Sequence, residues 1–366
     1  MVEYLAGNRI RGTNAERTTG AGFNPVTAVA GGWKELSRFT VGAGQTSDTI
    51  SVTGLDNKLY LQVLSFTKGT GGATRSSYTM NTVTGNYSYK YNTGSGGDSS
   101  GSNQSNLYFN QNNNGNTFTN SFISNKSDKK KLFLNSSIKA TVTGAGTAPV
   151  REESAGTWGT TTDPISSVQL LNSAGGSFDA GSEVIVLGYD PDDTHTDNFW
   201  EELVSVTQAS DATTLDTSTF TPKKYMWVQI FGDSSSNISP SITFNGESSG
   251  ANNNKYTLAS TFNGGNDDTS EVNIEWIALN QAGVGNSNNE YFSNIFIVNH
   301  TNSEKLICVN TVENDATGTS RAPDRTNNYG KWTDTSYQIN RITLTFRDGG
   351  TGNVLTGTVM KVWGHD

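Results

Sequence analysis

The chain contains one long stretch twice. Phe122-Ile123-Ser124-Asn125, Lys131-Leu132, Pro149 with Arg151, Trp158 and Ile165 recur as Phe296-Ile297-Val298-Asn299, Lys305-Leu306, Pro323 with Arg325, Trp332 and Ile339, each 174 residues further on. The closing block Gly181-Ser182-Glu183-Val184-Ile185-Val186-Leu187-Gly188 returns as Gly357-Thr358-Val359-Met360-Lys361-Val362-Trp363-Gly364 at a spacing of 176. Upstream, Trp33-Lys34-Glu35-Leu36 matches Trp200-Glu201-Glu202-Leu203 at 167, and the block from Lys58 to Val63 matches that from Lys223 to Val228 at 165. Spacings that drift between fixed anchors are insertions and deletions in loops between strands. The period far exceeds the ~20–50 residues of a solenoid repeat. The copied unit is therefore a whole domain. The expected layout is an N-terminal arm over 1–32, a first domain over 33–191 and a second over 192–366.

Each copy is long enough to bury about 70% of its unfolded surface. Hydrophobic residues make up only 33% of the chain, and Gly (40 of them), Asn, Ser and Thr fill the balance. Such a composition invites a disordered reading, but disorder needs few aromatic residues, and here they reach 10% in short alternating runs. Small β cores with long polar loops fit better. Net charge is −9 with a pI near 4.9, which disfavours nucleic acid and anionic membrane as partners. The lone cysteine, Cys308, cannot staple a fold and reads as a small buried apolar residue. The first residues, Met1 to Arg11, lack the apolar core of a signal peptide, so synthesis in a host cytoplasm is expected.

Alternation with period 2 predicts about nine or ten strands per domain and almost no helix. The run from Lys58 to Phe66 is too continuously apolar for a strand with one wet face and is expected at the centre of a sheet. Residues 94–101 read as a loop, and Pro149 to Arg151 as a turn. The fold class expected is all-β: two tandem antiparallel β-sandwiches of jelly-roll type, related by duplication.

No constellation points to catalysis. Glu152 and Glu153 are adjacent, so on a strand they face opposite ways, and the second copy has Thr326 and Asn327 there. His195, His300 and His365 lie far from any nucleophile elbow. Asp190, Asp192, Asp193 and Asp197 crowd the linker and could offer oxygen ligands to Ca²⁺, but their spacing is not that of an EF-hand, and a solvated turn is the simpler reading. The same holds for the acidic loop Asn263 to Asp268. Tyr87, Tyr89 and Tyr91 alternate onto one face, where cross-strand packing competes with contact to a host surface glycan. The remaining anchors read as structural. Trp33 and Trp200 open the two copies, and Trp158 and Trp332 plug the ends of the sandwiches. Arg151 and Arg325 meet a loop carbonyl or carboxylate beside Pro149 and Pro323, and Gly188 and Gly364 end the last strands.

The closing pattern, Trp158, then Ile165 to Leu170, Gly175-Gly176, and Gly181 to Gly188, resembles the C-terminal third of jelly-roll-like modules in virion proteins of tailed, especially marine, bacteriophages. The second copy departs from it, with Leu355-Thr356-Gly357 in place of Phe178 to Gly181. The resemblance implies a non-enzymatic virion building block of the tail-fibre, spike or head-decoration kind. It would be homo-oligomeric and in contact with other virion proteins. The alternatives are a carbohydrate-binding receptor module and a tandem jelly-roll major capsid protein.

Overall fold

The computed structural model describes residues 32–366 apart from 71–75, 95–97, 110–114, 174, 234, 236–238, 248–253, 263–267, 281–289, 315–322 and 348–351. Residues 1–31 of the expected N-terminal arm and most of the acidic loop from Asn263 lie outside the described residues.

The first half opens with β1 (Lys34–Thr40), β2 (Thr46–Ser47), β3 (Thr49–Thr53), β4 (Tyr60–Thr67) and β5 (Gly69–Thr70). It continues with β6 (Ser76–Met80), β7 (Tyr87–Thr93), β8 (Ser99–Gln104), β9 (Leu107–Tyr108) and β10 (Asn116–Ser124). It closes with β11 (Lys131–Ala140), β12 (Val150–Trp158), β13 (Ser167–Asn172), β14 (Ser177–Asp179) and β15 (Glu183–Tyr189). The second half runs through β16 (Glu201–Thr207), β17 (Leu215–Asp216), β18 (Tyr225–Asp233), β19 (Pro240–Phe244), β20 (Tyr256–Phe262) and β21 (Asp268–Ile274). Then come β22 (Ile277–Ala278), β23 (Glu290–Val298), β24 (Lys305–Glu313), β25 (Asp324–Trp332), β26 (Ile342–Phe346) and β27 (Val359–His365). The described residues hold no α-helix.

Every pairing is antiparallel. The first half has an eight-stranded sheet in the order β1-β15-β4-β10-β11-β12-β7-β8 and a four-stranded sheet β3-β13-β6-β9. The second half has β16-β27-β18-β23-β24-β25-β20-β21 and β17-β26-β19-β22. Replacing each strand by its repeat partner converts one order into the other, so the duplicated sequence is a duplicated sandwich. The small third sheet, β2-β14-β5, has as its counterpart in the second half, among the described residues, the bridge Ala212–Val354. β4 lies between β15 and β10, as its apolar run predicts. Three expectations need correction. Residues 150–158 and 324–332 are full strands, not turns with tails, and the loop expected over 94–101 gives way to β8 at Ser99. These strands carry mostly polar residues and glycine, so backbone pairing forms them without an apolar alternation to announce them.

Each sandwich has its own core. In the first, Leu61, Val63, Ile123, Phe133 and Val186 of the large sheet meet Ile50, Tyr78, Met80 and Leu170 of the small one. In the second, Val228, Ile230, Ile297 and Ile307 meet Ile242, Phe244, Ile277 and Leu344. A third core joins the halves: Leu64, Phe66, Phe118, Ile138 and Ile185 pack on Tyr225, Val298, Leu306, Cys308 and Tyr329. These residues stand on the opposite faces of the same large sheets, because successive side chains alternate. The molecule is thus layered small sheet, large sheet, large sheet, small sheet.

The edges of the large sheets share one device. The β1–β15 register shifts between Glu35 and Ser37, and the β16–β27 register between Glu202 and Val204. The extra residues, Leu36 and Leu203, lie over Gly188 and Gly364, where an added Cβ would stand 2.7 Å and 2.9 Å from their Cδ1 atoms. The two glycines are therefore one residue short of the strand ends and permit close approach; they do not terminate the strands. At the far edges, β7–β8 shifts between Tyr87 and Tyr89, and β20–β21 between Tyr256 and Leu258.

Candidate functional site

The halves meet through two self-equivalent contacts. Phe122 packs on its own repeat partner Phe296, ring centroids 6.0 Å apart. The Asn327 amide donates to Glu153, again its repeat partner, at 2.9 Å. A residue that touches its own counterpart lies beside a local two-fold axis. This axis runs between the two large sheets, across the strands. It divides the interface into two sides that the repeat alone would make alike.

One side is sealed. Phe66 packs at a tilt against His300, centroids 4.4 Å apart, and Phe118 faces Tyr225 at 6.4 Å. Glu183 is buried there, accepting from the Tyr225 hydroxyl at 2.9 Å and the Thr40 hydroxyl at 2.6 Å. Lys224 and Arg38 each stand 3.6 Å from it. Burial alone would push this carboxyl up; the two hydroxyls and two cations more than offset that and hold it below the usual carboxylate range. Burial drives the His300 imidazole down to about 3, so it sits in the seal uncharged. Nearby, the buried Lys331 ammonium donates to the Val142 carbonyl at 2.7 Å and pairs with Glu304 at 3.3 Å. Ala145 accepts from the Asn273 amide at 2.9 Å. The loop after β11 is thereby fastened to the second half.

The other side is open. Phe122, Leu134 and Ser136 of the first half and Phe292, Asn294, Asn310 and Val312 of the second line a cleft of about 650 Å³. Its walls continue over Tyr60, Leu132 and Ala155. Leu134 is 66% exposed, whereas its repeat partner Cys308, in the seal, is 1% exposed. Phe231 is 53% exposed, whereas Phe66 is fully buried. At the axis, Trp200 donates to Gln62 at 3.1 Å, and Trp227 donates to Asn294 at 2.6 Å while stacking on Phe296 and Trp363. Glu153, on the floor, accepts the Asn327 amide at its Oε1, which also stands 3.6 Å from Arg151.

The residues singled out in the sequence are dispersed. Tyr87 is buried, with its hydroxyl bonded to the Met80 amide at 2.7 Å and its ring stacked on Trp158, and it cannot meet a glycan. Tyr89 and Tyr91 are half-buried against Tyr108; Tyr91 lines the cleft and Tyr89 lines its continuation over Tyr60 and Leu132. Trp158 and Trp332 end β12 and β25 inside the sandwich cores. Trp33 packs on Phe122 and Tyr189 near the axis. Arg151 is buried and donates to Gly94 at 3.1 Å, but Arg325 is exposed on the cleft rim; Pro149 is buried and Pro323 exposed. In the linker, Asp193 pairs with Lys58 and Asp197 with Lys34. Asp190 accepts from the Asp192 amide at 3.3 Å. The four aspartates do not converge, and no group of three metal-ligating side chains occurs among the described residues. The cleft itself escaped sequence reasoning. Its trace was the run Leu132-Phe133-Leu134, apolar on both faces although it follows a charged hairpin tip.

The chain matches no known family model and no curated protein. Laminin structures are among the solved structures that align with it. Domains LG4-5 of the mouse laminin alpha1 chain align at 10% identity over 92% of each chain, with a TM-score of 0.18. The LG1-3 region of the laminin alpha2 chain aligns at 8% identity over 86% of this chain and 64% of that one, with a TM-score of 0.21. Scores this low transfer no activity or partner.

Proposed function

We propose that the chain is a non-enzymatic structural protein of a phage-type virion, a spike, fibre or head-decoration component that works by joining sheet faces. The observation behind this is the third core: two copies of one sandwich are fused through their outer faces, around buried aromatics and a satisfied Glu183 cluster. A face that already seals against a copy of itself is suited to building. The closing motif, with its resemblance to virion modules, points the same way. Glu153 on the cleft floor accepts the Asn327 amide and lies 3.6 Å from Arg151, a pairing that ties the halves together and fits a structural role. Mass spectrometry of purified particles from a phage that encodes the chain tests the proposal. The chain is expected in fixed copy number per particle, and its absence from clean particles would end this reading.

A further inference from the structure

We propose that the open faces dock a second copy of this chain, the first-half face of one copy meeting the second-half face of the other. This rests on the assembly role above and names the surface that performs it. The repeat supplies the reason. Inside one chain, Phe66, Phe118 and Ile138 of the first half seal against Tyr225, Leu306 and Cys308 of the second. The repeat partners of the first three are Phe231, Phe292 and Val312; those of the second three are Tyr60, Leu132 and Leu134. All six partners have kept aromatic or aliphatic character, and all six are exposed. Each chain therefore carries both members of a contact that this fold is seen to make, with neither member engaged.

Three further features favour a copy as the occupant. Contiguous apolar exposure on this scale marks an interaction surface. Charged groups stand at the rim, as Lys90 and Arg325 do, while Leu134, Phe292 and Val312 form the walls, which is the anatomy of a protein interface. The two faces are unlike each other, so one copy can offer its first-half face to the second-half face of another. Two copies clasped cleft to cleft make the contact twice, and a ring makes it once per copy.

Light scattering on the full chain, coupled to size exclusion, tests this. The wild type is expected to elute at a multiple of 39.2 kDa. Leu134→Lys alone, and Val312→Glu alone, each place a charge in the apolar contact and are expected to raise the dissociation constant about a hundredfold or more. Mixing the two variants is expected to restore the multimer, because lysine then faces glutamate. Both positions are exposed, so folding is retained and is checked by circular dichroism. A monomeric wild type overturns the proposal, as does a multimer indifferent to both substitutions. So does a cleft that proves to bind a soluble oligosaccharide in the wild type but not in Leu134→Lys, with mass unchanged. A monomer still found in particles removes this surface and leaves the virion role standing; a multimer absent from particles does the reverse.

Discussion

The two sides of the inter-sheet axis are built from the same repeated positions, yet one is sealed and the other open. What differs is a small number of side chains. The sealed side has Leu64, Ile185 and Leu187 where the open side has Gln229, Lys361 and Trp363. It also has Val298 where the open side has Ser124. Glu183, which gathers Tyr225, Thr40, Lys224 and Arg38, has Val359 as its counterpart, which can gather none of them. Duplication thus supplied a symmetric contact, and a few substitutions decided which half of it closes. Apolar area alone did not decide it, since aromatic rings remain on both sides.

The largest effect that should separate the sides is a matched truncation. Phe66→Ala is expected to cost about 3–5 kcal/mol, through lost burial and a cavity beside His300. Phe231→Ala, its repeat partner, is expected to change stability by about 0.5 kcal/mol or less in the monomer. Urea unfolding of both variants measures the difference, and equal losses would mean that the two sides are equally closed in solution.

Acid should loosen the sealed side next. His300 has a folded pKa of about 3 against an ordinary 6.5. As the pH falls through that window, the unfolded chain takes up a proton that the folded chain refuses, so stability falls by about 1.4 kcal/mol per pH unit at most. Glu183 acts in the same direction at lower pH. Its folded pKa is depressed, so the stability it contributes is present above its ordinary value of 4.5 and lost as the pH drops below it. His300→Leu should flatten the upper part of the profile and leave the lower part, as read from denaturation midpoints across the window.

A third, smaller effect tests the edges. Gly188→Ala places a Cβ 2.6 Å from Lys58 Cγ and 2.7 Å from Leu36 Cδ1, and is expected to cost about 1–3 kcal/mol. Gly364→Ala, facing Leu203 and Lys223 at 2.9 Å and 2.8 Å, should cost a similar amount, because here the halves are alike. A large gap between the two thermal shifts would show that the bulges differ in stiffness. The smallest effect expected is for Leu134→Ala, within about 0.5 kcal/mol in the monomer.

The sequence disclosed the architecture more readily than the site. Duplication was visible because Phe122 and Phe296, Lys131 and Lys305, and Trp158 and Trp332 hold one spacing. The ammonium groups of Lys131 and Lys305 show why such positions resist drift. Each is buried against loop carbonyls, those of Lys129 and Thr160 in one half and of Ser303 and Asp334 in the other. β4 was legible because both of its faces are apolar. β12 and β25 were not, because polar central strands owe their place to neighbours on either side. The cleft was invisible for a related reason. Leu132 and Leu306 look identical in sequence, and only the packing of one half on the other makes one exposed and the other buried.

The bulges at Leu36 and Leu203, and the register shifts at the opposite margins of both large sheets, carry one more consequence. An irregular outer strand offers no even row of amides and carbonyls for a foreign strand to zip onto. Crowding such molecules side by side therefore does not invite fibrils. Neighbours are left to recognise one another by shape, through side chains, and a contact of that kind can be released again.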